Sequence, residues 1–185
     1  MNSAKEEKII EIASELFQKS SYLSVGVDKI IADSEVAKMT FYKYFPAKND
    51  LIEKVLERRK IHIIRSLEDS IGKEKLPIKK LERIFDWFSS WFFSEEFFGC
   101  MFMKAQEDFP ENLKFRKITL EYKNWLNHEI TNIFKDAKIK NPEEMASLFI
   151  IVLDGLTIKA SLGILIENDL KVSWKMLTSS LNKTI

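Results

Sequence analysis

VDKIIADSEVAKMTFYKYFPAKNDL, the stretch from Val27 to Leu51, decides the fold of this chain. Val27, Ile30 and Ile31 recur at helical spacing and can face one core, which predicts a short helix from Val27 to about Asp33. Ser34-Glu35-Val36 reads as a turn. A second short helix is predicted from about Ala37 to Tyr44. Pro46 stops it, because a proline disfavours helical geometry at the residue before it, here Phe45. Two short helices at this separation fit a helix-turn-helix, whose second helix enters the DNA major groove.

That second helix has the composition of a reading surface. Val36, Phe41 and Phe45 are assigned inward, and Lys38, Thr40, Tyr42, Lys43 and Tyr44 outward. The outward set supplies hydrogen-bond donors that can be aimed, and lysines suited to phosphate or guanine. Thr40 and Tyr42 are expected mainly on phosphates, Lys38 and Lys43 nearer base edges. Lys48 falls in the first turn of the next helix, where a cation is electrostatically unfavourable. A phosphate held by that lysine and the free N–H groups would relieve the misfit.

Charge elsewhere adds little. The 185-residue chain carries a formal net charge of +1, and its first 60 residues hold eleven basic and ten acidic side chains. The segment Val36 to Asn49 has three lysines and no acid, so the case for DNA rests on local placement. The length suits one or two small domains with a real core. A single cysteine excludes an intrachain disulfide and fits a reducing cytosol. The charged, amphipathic start MNSAKEEKIIEIASELF is not a secretory signal. Five glycines and four prolines are too few for a loop-rich β protein, and the long helical periodicities make the chain all-α.

Outward from the opening stretch, a first helix is predicted from about Ala4 to Ser20. Ser3 would be its N-cap with Glu6 closing a capping box, and Ile9, Ala13, Leu16 and Phe17 would form its buried face. A helix from about 48 to 71 carries Leu51, Ile52, Val55 and Leu56 toward the N-terminal domain. Its Ile61 to Ile64 run is expected against a second domain, with Arg58, Arg59, Lys60 and Arg65 as a solvated face. Ile78 to Ser94 is a helix crowded with Phe85, Trp87, Phe88, Trp91, Phe92 and Phe93. Cys100 has two readings, a thiol sensor, which needs an electropositive and partly open setting, and a buried inert thiol, which its Phe and Met neighbours favour. Glu111 to Lys138 is a long helix with an apolar stripe from Phe115 to Phe134. Asn141-Pro142-Glu143-Glu144 opens a helix expected to reach about Glu167. Leu148 to Ile166 is the most hydrophobic run, but Asp154 and Lys159 within it would each cost about 3 kcal/mol at a bilayer centre. That run is therefore expected as a buried helix, and Val172 to Asn182, with Trp174, Leu177 and Leu181, as the last. His128 is isolated and no metal site or cofactor is assigned. The chain holds no Ser-His-Asp set, HExxH motif, glycine-rich phosphate loop or Rossmann fingerprint, so it does not read as an enzyme.

Residues from about Lys8 to Leu56 resemble the DNA-binding domain of the TetR family of bacterial transcriptional regulators (TetR/AcrR type). The matching pieces are Ile9-Ile10 with Ala13, Leu16-Phe17, Tyr22, Val27, Ile30, Val36, the run Thr40-Phe41-Tyr42-x-Tyr44-Phe45, and Lys48 with Leu51. The sequence departs from the family at Ser21, where glycine is usual, at Ser34-Glu35, where the turn is usually alanine-glycine, and at Met39, another common glycine. The usual serine or threonine near the cap of the second helix is displaced, leaving Ser24, Val25 and Gly26. The resemblance implies a three-helix helix-turn-helix domain over residues 1–50, the linking helix, and a helical effector-binding and dimerisation domain over 72–185. It implies a cytoplasmic homodimer, joined through the last two long helices, that represses transcription from a palindromic operator. Lys38, Thr40, Tyr42, Lys43, Tyr44 and Lys48 would contact the DNA. A small, largely apolar or aromatic effector would meet Phe88, Trp91, Phe92, Met103, Gln106, Trp125, Asp154 and Thr157, with Asn124 a further polar candidate. The same aromatics are also the ordinary content of a filled core. The alternative reading of the whole is a helical ligand-binding or oligomerising protein whose DNA surface has decayed, with Glu35 and Met39 as the symptoms.

Overall fold

The structure is a computed structural model that describes residues 4–182. Among these residues the elements are helices: α1 (Ala4–Lys19), α2 (Val27–Ser34), α3 (Lys38–Tyr44), α4 (Lys48–Ile71), α5 (Pro77–Phe92), α6 (Met101–Asp108), α7 (Leu113–Asp136), α8 (Pro142–Ser161) and α9 (Glu167–Asn182). Ser3, the expected cap of α1, and the side chain of Leu181 lie outside the described residues. No helix among them is long and apolar enough to cross a membrane.

The chain forms two compact units. One contains the segment up to His62 together with Cys100–Leu120; the other contains Ile63–Gly99 and Glu121–Ile185. α4 and α7 each begin in the first unit and end in the second. The division is not the contiguous one drawn from sequence: α6, absent from the predicted elements, belongs to the unit that carries the helix-turn-helix.

In the first unit the core is built from Ile9, Ile10, Ala13 and Phe17 of α1, Ile30 of α2, Phe41 and Phe45, and Leu51, Ile52, Val55 and Leu56 of α4. Ile9, Ala13 and Phe17 of α1, Phe41 and Phe45, and Leu51 with Val55 and Ile52 with Leu56 of α4 are each spaced by four, so these segments turn one stripe inward. Ile61 and His62 are exposed and only Ile63 of the Ile61 to Ile64 run is buried. The basic run of α4 is partly neutralised, Arg58 by Glu7 and Lys60 by Glu57. Cys100 is half-exposed, not buried: it is the residue before α6, where Met101, Phe102 and Ala105 take the interior.

In the second unit α5 buries Leu81, Ile84, Phe85, Phe88 and Phe92. Phe85 lies against Phe149 of α8 and Trp174 of α9. The α7 stripe is as its spacing implies, with Tyr122, Leu126, Ile130, Ile133 and Phe134 of this unit buried. α8 is shorter than its hydrophobicity suggests. It ends at Ser161 in a Schellman motif: Gly163 takes φ +68°, the Gly163 N–H donates to Ala160 O and the Ile164 N–H to Lys159 O. α9 then begins at Glu167, five residues earlier than expected, because the Asp169 carboxylate accepts the Ile166 N–H at 3.1 Å and satisfies one of the orphan donors of the helix start.

Candidate nucleic-acid interface

α2 and α3 are joined by a turn that depends on a left-handed residue. Glu35 sits at φ 54°, ψ 35°, with its N–H on Ala32 O and the Val36 N–H on Ile31 O. This is a Schellman close in which glycine is the low-strain choice. Here the position is glutamate. Its carboxylate is paired with Lys8 of α1, and that pairing holds the Glu35 carboxyl below its ordinary range. The negative charge expected beside DNA is thus neutralised within the domain. Ser34 is buried, and its hydroxyl donates back to Ile30 O at 2.6 Å.

α3 is anchored by Phe41, fully buried, and by Phe45 just beyond its end. Their rings are 5.9 Å apart. Val36 is only half-buried. Lys38, Tyr42 and Lys43 are exposed, while Thr40 and Tyr44 are half-exposed. At about 100° per residue, Met39 and Lys43 stand roughly opposite Phe41 and form the crest of the helix. Lys38 lies only about 60° from Phe41 by the same spacing, and its ammonium is 3.4 Å from Asp28 of α2. Lys38 therefore flanks the crest of the helix.

Lys48 occupies an unexpected place. Its ammonium donates to the carbonyl of Tyr22 and stands 6.0 Å from the centre of the Phe17 ring. Burial lowers its pKa, while the Asp108 charge opposes the shift. The misfit of a cation in the first turn of α4 is thus met by a carbonyl oxygen of the same domain.

Residues that sequence reasoning missed complete this loop. Asp108 accepts from Ser21 Oγ at 2.7 Å and from the Leu23 N–H at 3.3 Å. Lys104 donates to Gln18 O at 2.8 Å, and the Tyr22 hydroxyl donates to Met101 O at 3.1 Å. α6 thereby grips the loop between α1 and α2. Burial, then the nearby Cys100 and Asp108, hold the Tyr22 phenol far above its ordinary pKa, against a smaller opposing effect of Arg59. No local pattern signals these partners, which lie about eighty residues apart in sequence.

The expected effector residues are distributed over both units. Phe88 and Phe92 are buried in the second unit, where Trp87, Phe88, Trp91, Phe92 and Phe97 form a chain of ring contacts. Trp125 is half-buried and Asn124 exposed. Met103 and Gln106 belong to the first unit, where Met103 is exposed. Asp154 is exposed and paired with Lys123, and the Thr157 hydroxyl donates to Leu153 O at 2.8 Å.

A buried-anchor helix with an exposed crest flanked by polar side chains, set behind a short helix and a tight turn, is the DNA-binding element of a helix-turn-helix transcriptional regulator. Comparison with known proteins specifies the kind. Residues 9–55 match the family model described as bacterial regulatory proteins, tetR family. A TetR-family transcriptional regulator from Streptomyces coelicolor shares the fold at a TM-score of 0.85 and 19% identity, over 97% of this chain and 95% of that one. The regulatory protein TetR from Rhodobacter sphaeroides does so at 0.80 and 20%, over 96% and 99%. The uncharacterized HTH-type transcriptional regulator YuxN of Bacillus subtilis is 24% identical over 76% of this chain. An HTH-type regulator of Lactococcus lactis is 25% identical over 51%. The matched stretches span 38% and 49% of those two relatives, under half of each. Over residues 9–55 the chain thus carries a DNA-binding domain like that of the TetR family, and its fold is the one these solved TetR-family regulators share.

Proposed function

We propose that this protein is a cytoplasmic, homodimeric repressor that binds a palindromic operator and releases it when a small, largely apolar effector occupies the second unit. One observation carries the dimer. Leu148, Ile151, Gly155 and Ile158 of α8 and Leu162 at its C-cap follow one another at intervals of three and four, and all are exposed. Ile151 is 64% and Ile158 62% exposed. Val172 and Met176 of α9 continue the apolar surface, and with Leu148 and Val152 they line an open groove. Spacing of this kind is the seam of helices packed at shallow angles. Burying each such side chain is worth about 1.5–3 kcal/mol, and a second copy offers the same seam.

Two readers in a dimer would meet half-sites one DNA turn apart. Lys43 would approach base edges, with Lys38, Thr40 and Tyr42 on the flanking phosphates and Tyr44 supporting the end of α3. Lys48 is left holding the Tyr22 loop. For the effector, the ring cluster of α5 supplies flat apolar contact. Phe97 packs on Trp91 at 4.8 Å and precedes α6 by four residues. An effector that displaces the Phe97 ring would pull on the chain leading into α6, and so on the loop that α6 grips. Only a preference for the released geometry would count, and a coupling of about 1–3 kcal/mol gives roughly 5- to 150-fold lower operator affinity.

The test is selection of bound sequences from a random duplex library with the full chain at near-physiological salt. A palindrome with half-sites about 10–10.5 base pairs apart, or a multiple of that, is the expected outcome. Recovery of nothing above background would overturn the proposal.

A further inference from the structure

We infer that Met39 is a specificity-determining residue that reads the 5-methyl group of a thymine in the major groove. The inference rests on the DNA-binding reading above and assigns a base contact within it. Met39 is 84% exposed, the highest value among the large apolar side chains described. Its place gives that exposure a meaning. Phe41 fixes the inward face of α3, and Met39 lies two positions away, roughly 160° around the helix at 100° per residue. Lys43, one turn further on, shares this crest. Whatever occupies position 39 therefore reaches the floor of a groove that admits α3 before Lys38, Thr40 or Tyr42 can.

The chemistry of the side chain then selects its partner. A thioether has no N–H or O–H to donate and is a weak acceptor. It discriminates poorly among the hydrogen-bonding edges of guanine, adenine and cytosine. The thymine methyl is the apolar group on the major-groove edges and is read by apolar contact. Met39 is also unbranched and flexible, so it can follow an irregular surface. Lys43 beside it supplies the polar contact of the same crest, so α3 would read an apolar step next to a guanine or a phosphate.

The experiment starts from the site selected by the full chain and replaces each thymine in turn by deoxyuridine, which removes the methyl alone. The expected result is a loss of about fourfold in affinity at one position per half-site, the value of one buried methyl. Replacement in both half-sites together should cost roughly fifteenfold on the same basis. Met39→Ala should bind the thymine and uracil forms equally, and Met39→Leu should restore the discrimination. Because Met39 contributes nothing to the core, these variants test reading and not folding. A wild-type protein that binds its site but ignores every thymine replacement overturns the inference while leaving the regulator reading intact. Met39→Ala retaining the full discrimination overturns it equally. A wild-type chain that selects no site at all removes the DNA-binding reading, and this inference with it.

Discussion

At the scale of single residues, two positions carry more than their composition suggests. Glu35 adopts a left-handed conformation that costs an L side chain roughly 1–2 kcal/mol in general, and its compensation is an exposed pair with Lys8. Exposed pairs contribute little, so Glu35→Gly is expected to raise Tm by about 2–4 °C. Glu35→Ala, which keeps the strain and loses the pair, should give no gain; calorimetry of the two variants separates the effects. Tyr22 is the second. Its phenol is buried, bonded to Met101 O, and held far above its ordinary pKa. The folded state keeps this proton while the unfolded chain loses it near pH ~10. Its contribution is therefore complete below that pH and is lost as pH rises beyond it. Denaturant titrations should show stability falling steeply above pH ~10. In Tyr22→Phe that slope should be shallower, at a neutral-pH cost of about 1 kcal/mol.

At the scale of elements, α3 and the start of α4 contain lysines of the same type with different tasks. Lys38 is exposed beside the crest of α3, whereas Lys48 is turned onto the Tyr22 carbonyl. Lys38→Ala should weaken binding to all sequences and reduce the slope of log affinity against log salt by about 1 per protomer. Lys48→Met should leave that slope unchanged and lower stability by about 1.5–3 kcal/mol, the range for a hydrogen bond involving a charged group. Equal changes of slope in the two variants would return Lys48 to the phosphate role. The elements themselves were largely legible. The positions of α2 and α3 followed from Ile30, Phe41 and Pro46, because apolar spacing and a proline stop are local properties. α6 was not: its eight residues MFMKAQED make only two turns, too short for a decisive periodicity, and its partners Gln18, Ser21 and Tyr22 lie far away in the chain.

For the whole molecule, the question is what covers the exposed seam of α8. Sequence hydrophobicity alone makes this helix buried on nearly all sides. In the single chain only Ala146, Phe149, Leu153 and Leu156 face inward, leaving Leu148, Ile151 and Ile158 outside. Ile151→Glu would place a charge in the middle of that seam without touching the inward face. It should convert a dimer to monomers in sedimentation while the monomer stays folded. Operator affinity should then fall on the order of a hundredfold or more, since the second half-site contact is no longer intramolecular. A variant that remains dimeric would show that another face joins the copies.

The sequence by itself determined the all-α class, the helix-turn-helix and the TetR-like character of the N-terminal domain, because these depend on short-range spacing: Phe41 and Phe45 for the anchor, Pro46 for the stop, Thr40 to Phe45 for the TetR-like run. Tertiary structure alone decided that Lys48 turns onto Tyr22, that Glu35 pairs with Lys8, and that α6 serves the N-terminal unit. The physical reason is the same in each case. A side chain's partner is chosen by three-dimensional proximity, and Lys48 finding Tyr22 or Asp108 finding Ser21 leaves no periodic trace along the chain. Met39 lies between the two: its residue type was visible from the start, but only the buried position of Phe41 shows that it stands on the crest.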